Sequence, residues 1–242
     1  AVALMLDYIV TVAIQSAAGV AAIISTFPSL HDYKIPMILV VIVLLTYGNL
    51  RGVKEAGKAF ALPTYFFVGC MFIVFSVGLY KQFNGTLVQL SVEQPGAIEI
   101  GQEQGLLTFA AIFILLRAFA NGGSSLTGLE AISDGVALFK TPEHVNARRT
   151  LYIMSTLLGT LVLGVSWFAH KIHAIPYESG TPTVISQIAK AIMGDGVIGQ
   201  TMFVMVQLAT MLILFAGANT TYSAFPILVN FVAADGYLPR QL

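Results

Sequence analysis

Six apolar runs, each near the ~20 residues that a helix needs to cross a hydrocarbon core, dominate this 242-residue chain. They cover residues 1–27, 35–50, 60–80, 106–138, 151–168 and 197–225. Backbone in lipid must pair its N–H and C=O groups internally, so runs of this length and number point to an all-α membrane protein. Composition agrees: 57% of residues are hydrophobic and 10% charged, against about a quarter charged in a soluble domain. The second run is short for a span, but Pro36 opens it and the sequence GNLRG closes it. The fourth is too long for one straight helix.

Position matters more than sum for the charges. The net charge is zero, so nothing argues for a nucleic-acid partner. Residues 51–58 and 140–149 each carry three Lys or Arg, and Arg240 follows the last run. The positive-inside rule places these segments in the cytoplasm. Alternation then puts 169–195 outside, where 181–193 has the apolar spacing of a helix lying along the membrane surface. Cys70 is the single cysteine, which excludes an internal disulfide. The first run opens without an initiator methionine or charged flank, and the chain is expected to be a fragment of a larger transporter, 1–242 forming one transmembrane core.

Residues 117–135, RAFANGGSSLTGLEAISDG, interrupt the fourth run with glycines, hydroxyls and acids. Asn121 to Ser125 are poor helix formers, whereas 106–119 and 126–138 read as two half helices, so the span is expected to be discontinuous near 121–125. Half-helix ends offer carbonyls to cations and amides to anions near the midplane. Ser124, Ser125 and Thr127 add hydroxyl oxygens. Thr127 and Glu130 are three residues apart and share a helical face, and an intramembrane acid is expensive in lipid unless protonated, paired or solvated. Glu130 therefore either serves a ligand or bonds nearby backbone to fix the break.

Other intramembrane polar residues leave two roles open. Arg117 is a gate or a structural clamp, and Asp134 a cap or a cytoplasmic gate. Thr11 and Gln15, one turn apart on the first run, face a cavity or bond across helices. Asn219, Thr220, Thr221 and Tyr222 form a polar cluster, with Asn219 and Thr220 serving a second ion site or helix packing.

Enzyme motifs are weak. GVKEAGKA at 52–59 has the spacing of a phosphate-binding loop, but Ala59 replaces the magnesium-binding hydroxyl and no strand precedes it. His170 and His173 lack a third metal ligand. The sequon Asn84-Gly85-Thr86 has meaning only in a eukaryotic secretory setting. The chain is not expected to be an enzyme, to hold a cofactor, or to bind a metal other than a monovalent cation.

NLRGVKEAGKAFALPTYFF at 49–67, LTGLEAISDG at 126–135, FKTPEHVNARRTL at 139–151 and ADGYLPRQL at 234–242 resemble the amino acid-polyamine-organocation superfamily of permeases. LDYIVTVA at 6–13 and SSLTGLEAISDGV at 124–136 are most similar to the bacterial high-affinity potassium importers related to amino acid permeases. The resemblance covers essentially the whole chain. It implies a leucine-transporter-type fold of two inverted five-helix repeats, the six runs being helices three to eight. By this resemblance Thr127 and Glu130 match residues around a potassium site on broken helix six, and Thr11 matches one on helix three. Gln15 stands where those importers carry a serine. The implied function is secondary active transport, proton-coupled uptake of potassium or an amino acid, by broken helices rocking against a scaffold that contains the first, second and fifth runs. A non-transporting receptor or scaffold of the same fold is the alternative. The implied setting is multi-pass in a bacterial inner membrane, with the lipid bilayer and a small-molecule or ion substrate as partners and a homodimer as one possible assembly.

Overall fold

The computed structural model describes residues 2–51, 56–91, 95–98, 109–123, 136 and 139–237. Among the described residues seven α-helices run in chain order: α1 (Val2–Thr26), α2 (Lys34–Leu50), α3 (Ala56–Phe83), α4 (Phe109–Gly123), α5 (Glu143–Ile172), α6 (Val184–Met193) and α7 (Val197–Ala234). A six-residue 3-10 helix, Pro28–Tyr33, joins α1 to α2. Five of the described segments are long and apolar enough to cross a membrane, and the chain is an all-α, multi-pass integral membrane protein. The short second run is one of them, because the 3-10 helix extends it to 23 residues, Pro28–Leu50. Pro36 sits in the first turn of α2, where its missing N–H removes no helical bond.

The fourth run appears in part. Its first half is α4, which stays helical through Asn121, Gly122 and Gly123. Residues 124–135 lie outside the described residues, and with them most of the expected break. Two helices carry an internal proline, Pro63 in α3 and Pro226 in α7. Pro226 lacks the N–H that would bond the carbonyl of Tyr222, so the ladder is interrupted beside the polar cluster at 219–222. At 38 residues, α7 is about 57 Å long by helical rise and far exceeds a ~30 Å hydrocarbon core.

The chain divides into two compact units, 1–97 with 168–242, and 98–167. In the first, α1 packs most extensively on α7, and α3, α6 and α2 also contact α7. The last run thus packs with the first and second in this unit, and small residues at the α1–α7 contact make room for their neighbours. A Cβ on Gly19 of α1 would collide with the ring of Phe215, and one on Gly217 would lie 2.8 Å from Gln15 Oε1. Tyr8 and Phe225 bring their rings within 6.3 Å. Advancing along α1 from Tyr8 to Gln15 to Gly19 moves backward along α7 from Phe225 to Gly217 to Phe215, so the two helices are antiparallel. That sense agrees with the alternation expected from the basic loops.

The helix expected at 181–193 exists as α6, but protein rather than lipid covers its apolar face. Ile188, Ala189, Ala191 and Ile192 are buried, and α6 contacts α3 and α7. Gly78 of α3 allows this, since a Cβ there would overlap Phe168 and stand 2.7 Å from Ile192. Thr183 caps α6 by accepting a bond from Ser186 N at 3.2 Å, and Gly194 ends it at φ +77°. Gln187, 8% exposed, ties α6 to the preceding loop: its Nε2 donates to the carbonyls of Ile175 (2.8 Å) and Pro182 (3.2 Å), while its Oε1 accepts from Ile175 N (3.1 Å).

The second unit contains α4 and α5 as far as Trp167. Every residue of α4 from Ile112 to Ala120 is exposed, as are residues 151–156 of α5.

Candidate functional site

The predicted site residues on described helices fall into three places. Thr11 and Gln15 lie on α1 and are half-buried. Gln15 points its amide at the gap left by Gly217, and its Oε1 is buried without a hydrogen-bond partner. Ser16, next in sequence, is fully buried and its hydroxyl is likewise unpartnered. This is unusual for a helical hydroxyl here. Ser25, Thr26, Thr46, Ser76, Thr150, Thr160, Thr201 and Thr210 all donate to the carbonyl four residues earlier. Such back-bonding is the ordinary way to satisfy a hydroxyl in lipid, so Ser16 and Gln15 hold polar atoms that the protein alone leaves unsatisfied.

The second place is the polar cluster on α7. Asn219 Oδ1 accepts from Asn49 Nδ2 of α2 at 2.7 Å, and Tyr222 shares a 2.8 Å bond with Thr46. Asn49 Nδ2 also donates to Leu45 O at 2.8 Å. The hydroxyls of Thr220 and Thr221 both turn to the carbonyl of Gly217, at 2.7 and 3.1 Å. In this state Asn219 and Tyr222 bond α2 to α7, and the two threonine hydroxyls bond within α7.

Arg117 is the third, an exposed residue of α4 one and a half turns before Gly123. Ser124, Ser125, Thr127, Glu130 and Asp134 lie outside the described residues. Part of the phosphate-loop-like segment, 52–55, lies outside them too. Among the described residues no group of three or more His, Cys, Asp or Glu could hold a metal ion.

Sequence reasoning passed over Ser16, Gln207 and a cavity of about 950 Å³ at the α1 C-terminal end of the first unit. The 3-10 helix, residues 177–182, α6 and the start of α7 surround this cavity; His31, Lys190, Asp195, Gln200 and Phe203 are among its walls. Lys34 Nζ donates to Ser179 O at 2.7 Å, and Ser25 Oγ accepts from Thr183 N at 3.2 Å, fixing one rim to α2 and α1. Gln207 was findable as an amide in the middle of the last run, two turns after Gln200 on the same face. The cavity was not, because it is assembled from segments distant in sequence.

Two comparisons bear on this arrangement. The model of a family described as amino acid permease matches residues 1–242. The chain is also 39% identical over 239 residues to the potassium transporter KimA of Bacillus subtilis (strain 168), which covers 98% of this chain and 37% of that relative. The chain thus spans little more than a third of the curated relative it matches. An all-α set of apolar spans, polar atoms held open on α1 and a family match from end to end agree, and the chain belongs to the amino acid permease family.

Proposed function

We propose that this chain is the transmembrane core of a secondary active transporter that takes up potassium coupled to protons. The observation that carries the proposal is the 39% identity, along almost the whole chain, to a protein named a potassium transporter. The unsatisfied oxygens at Gln15 and Ser16 support it, since a hard monovalent cation is bound by neutral oxygens with a carboxylate nearby to balance charge. Thr11, Gln15, Ser124, Ser125, Thr127 and Glu130 form the proposed site, with Glu130 balancing the cation or carrying the coupling proton. Arg117 and Asp134 are proposed gates, and Asn219 and Thr220 a second ion site that opens when the bonds to α2 and within α7 exchange. Gln15, an amide where the importers carry a serine, supplies a carbonyl oxygen in place of a hydroxyl.

The fold proposal is that residues 1–242 form a single core fragment of a five-plus-five inverted repeat, corresponding to helices three to eight, with the span at 106–138 discontinuous. The α1 C-terminal end of the first unit faces outward in this proposal, in a bacterial inner membrane, and the full-length protein pairs as a homodimer. An amino acid is the competing substrate, held by the amides and carbonyls of a broken helix.

The test uses the full-length transporter in proteoliposomes, with potassium flux and amino acid flux measured under an imposed proton gradient. Potassium flux that dissipates the proton gradient is expected. Glu130→Gln is expected to abolish it with the thermal unfolding profile unchanged, and wild-type flux in that variant removes Glu130 from the mechanism. Amino acid flux alone transfers the site to the competing substrate. Neither flux supports a receptor or scaffold built on the same fold.

A further inference from the structure

Gln207 is 2% exposed, and both its amide oxygen and its amide nitrogen are buried without a partner. A buried amide left wholly unpaired is the kind of group native structures avoid. Its position explains what it is for. Gln200 and Phe203 of α7 line the 950 Å³ cavity, and Gln207 follows them by seven and four residues, so all three share one helical face. Side chains on a helix lean toward its N-terminus. The Gln207 amide therefore leans up α7, toward Phe203 and the cavity. The α1–α7 register gives the same result independently. Continued past Gly19 and Phe215, it brings Gln207 roughly level with Ser25 and Thr26, both of which line the cavity.

We propose that the cavity continues past Phe203 into a polar subsite floored by Gln207, occupied by a small ligand that both donates and accepts hydrogen bonds. The chemistry of the amide sets that class. Oε1 requires a donor or a cation, and Nε2 requires an acceptor. A bare monovalent cation satisfies only the oxygen. Water satisfies both, as buried water does for orphaned polar groups elsewhere, and so does a solute carrying an ammonium and a carboxylate. Phe203, 6% exposed, is the apolar plug between this subsite and the open cavity. The inference is independent of the transport proposal and of membrane orientation.

The test is cysteine accessibility in a cysteine-free background of the full-length transporter, with a small, membrane-impermeant, thiol-reactive cation added to each face separately. Gln200→Cys reports the face on which the cavity opens, and Val206→Cys, at a fully buried position, sets the rate of a sealed site. Gln207→Cys is expected to react from the same face as Gln200→Cys, within ~100-fold of its rate, and Phe203→Ala to accelerate that reaction at least ~10-fold, because a hydrated subsite behind an apolar plug is reached once the plug is trimmed. Reaction no faster than Val206→Cys in both backgrounds overturns the proposal. Gln207→Met supplies a readout that needs no labelling. Replacing a satisfied amide is expected to lower the melting temperature by roughly 2–4 °C, whereas a rise shows the amide to be dry and unpaired, and also overturns the proposal. Millimolar glycine separates the two sources with Gln207 intact: a rise in melting temperature on adding glycine that Gln207→Met abolishes identifies an ammonium–carboxylate solute, and no rise identifies water.

Discussion

The centre of α1 and the centre of α4 are both apolar helices, yet they end in opposite states. Val20 and Ala22 are fully buried, while Ile114, Leu115, Leu116 and Phe119 are 56–82% exposed. Hydrophobicity does not separate them, because lipid is as apolar as leucine and gives helices no reason to associate. Size does. Residues 16–22 of α1 read SAAGVAA and 216–218 of α7 read AGA, and the glycines in them make room for side chains of the opposite helix, Gly19 for the Phe215 ring and Gly217 for the Gln15 amide, whereas 112–119 of α4 read IFILLRAF. Within a membrane the buried face is the one with small residues and polar partners, and hydropathy alone is silent about it.

The largest expected effect breaks the close-packed seam directly. Gly19→Leu drives a side chain into Phe215 and is expected to destabilise the full-length transporter by about 3 kcal/mol or more, at the upper end of overpacking costs. Gly159→Leu on α5, where a Cβ meets nothing within 4 Å, is expected to stay within about 0.5 kcal/mol, as surface substitutions do. Thermal unfolding in detergent measures both. Equal losses would show that bulk, and not close approach, governs the seam.

A smaller effect is expected at the α6 end of the same unit. Gln187→Leu removes the partner of Ile175 N and of two carbonyls and is expected to cost about 2 kcal/mol, in the range for stranded buried polar groups. Hydrogen exchange at Ile175 reads it locally. Faster exchange there with α4 unchanged is the expected outcome, and unchanged exchange at Ile175 would remove Gln187 as the anchor of α6.

How much of this was legible in the sequence follows from the same physics. Five of the six expected spans were readable in rough extent, since a ~20-residue apolar run is a direct consequence of bilayer thickness, and the antiparallel sense of α1 and α7 agreed with the basic loops. What covers each face was not. Residues 181–193 carried the pattern of a membrane-surface helix, and nothing local told of Gly78, which makes room for Ile192. Thr11 and Gln15 were named as a pair, but Ser16 was not, because a serine in a span usually back-bonds and only coordinates reveal one that does not. Ser124, Ser125, Thr127, Glu130 and Asp134 rest on sequence alone.

Capping comes next in size. Thr183→Ala removes the acceptor for Ser186 N and is expected to cost about 1 kcal/mol, the usual value for a lost N-cap. The loss is expected in the first turn of α6 only, read by exchange at Ser186. A global loss instead would mean that the first turn of α6 holds more of the unit than α6 itself; Ser25→Ala removes the acceptor of the Thr183 backbone N–H, which Thr183→Ala leaves in place, and tests that tie separately.

The smallest effect decides the most about function. Asn49 and Asn219 bond at 2.7 Å across α2 and α7, and interhelical bonds of this kind average only about 0.6 kcal/mol in double-mutant cycles, because the separated helices find other partners. A cycle of Asn49→Leu and Asn219→Leu is expected to return a coupling of that order. If the bond is packing glue, both single variants lose the same small amount of stability and keep potassium flux. If Asn219 also serves an ion, Asn219→Leu abolishes flux while Asn49→Leu does not, and the asymmetry appears in transport with no counterpart in stability. Pro226 sharpens the comparison, since it lacks the N–H that would bond the carbonyl of Tyr222, and Pro226→Ala, which restores that donor, is expected to leave flux unchanged if the cluster is packing glue alone.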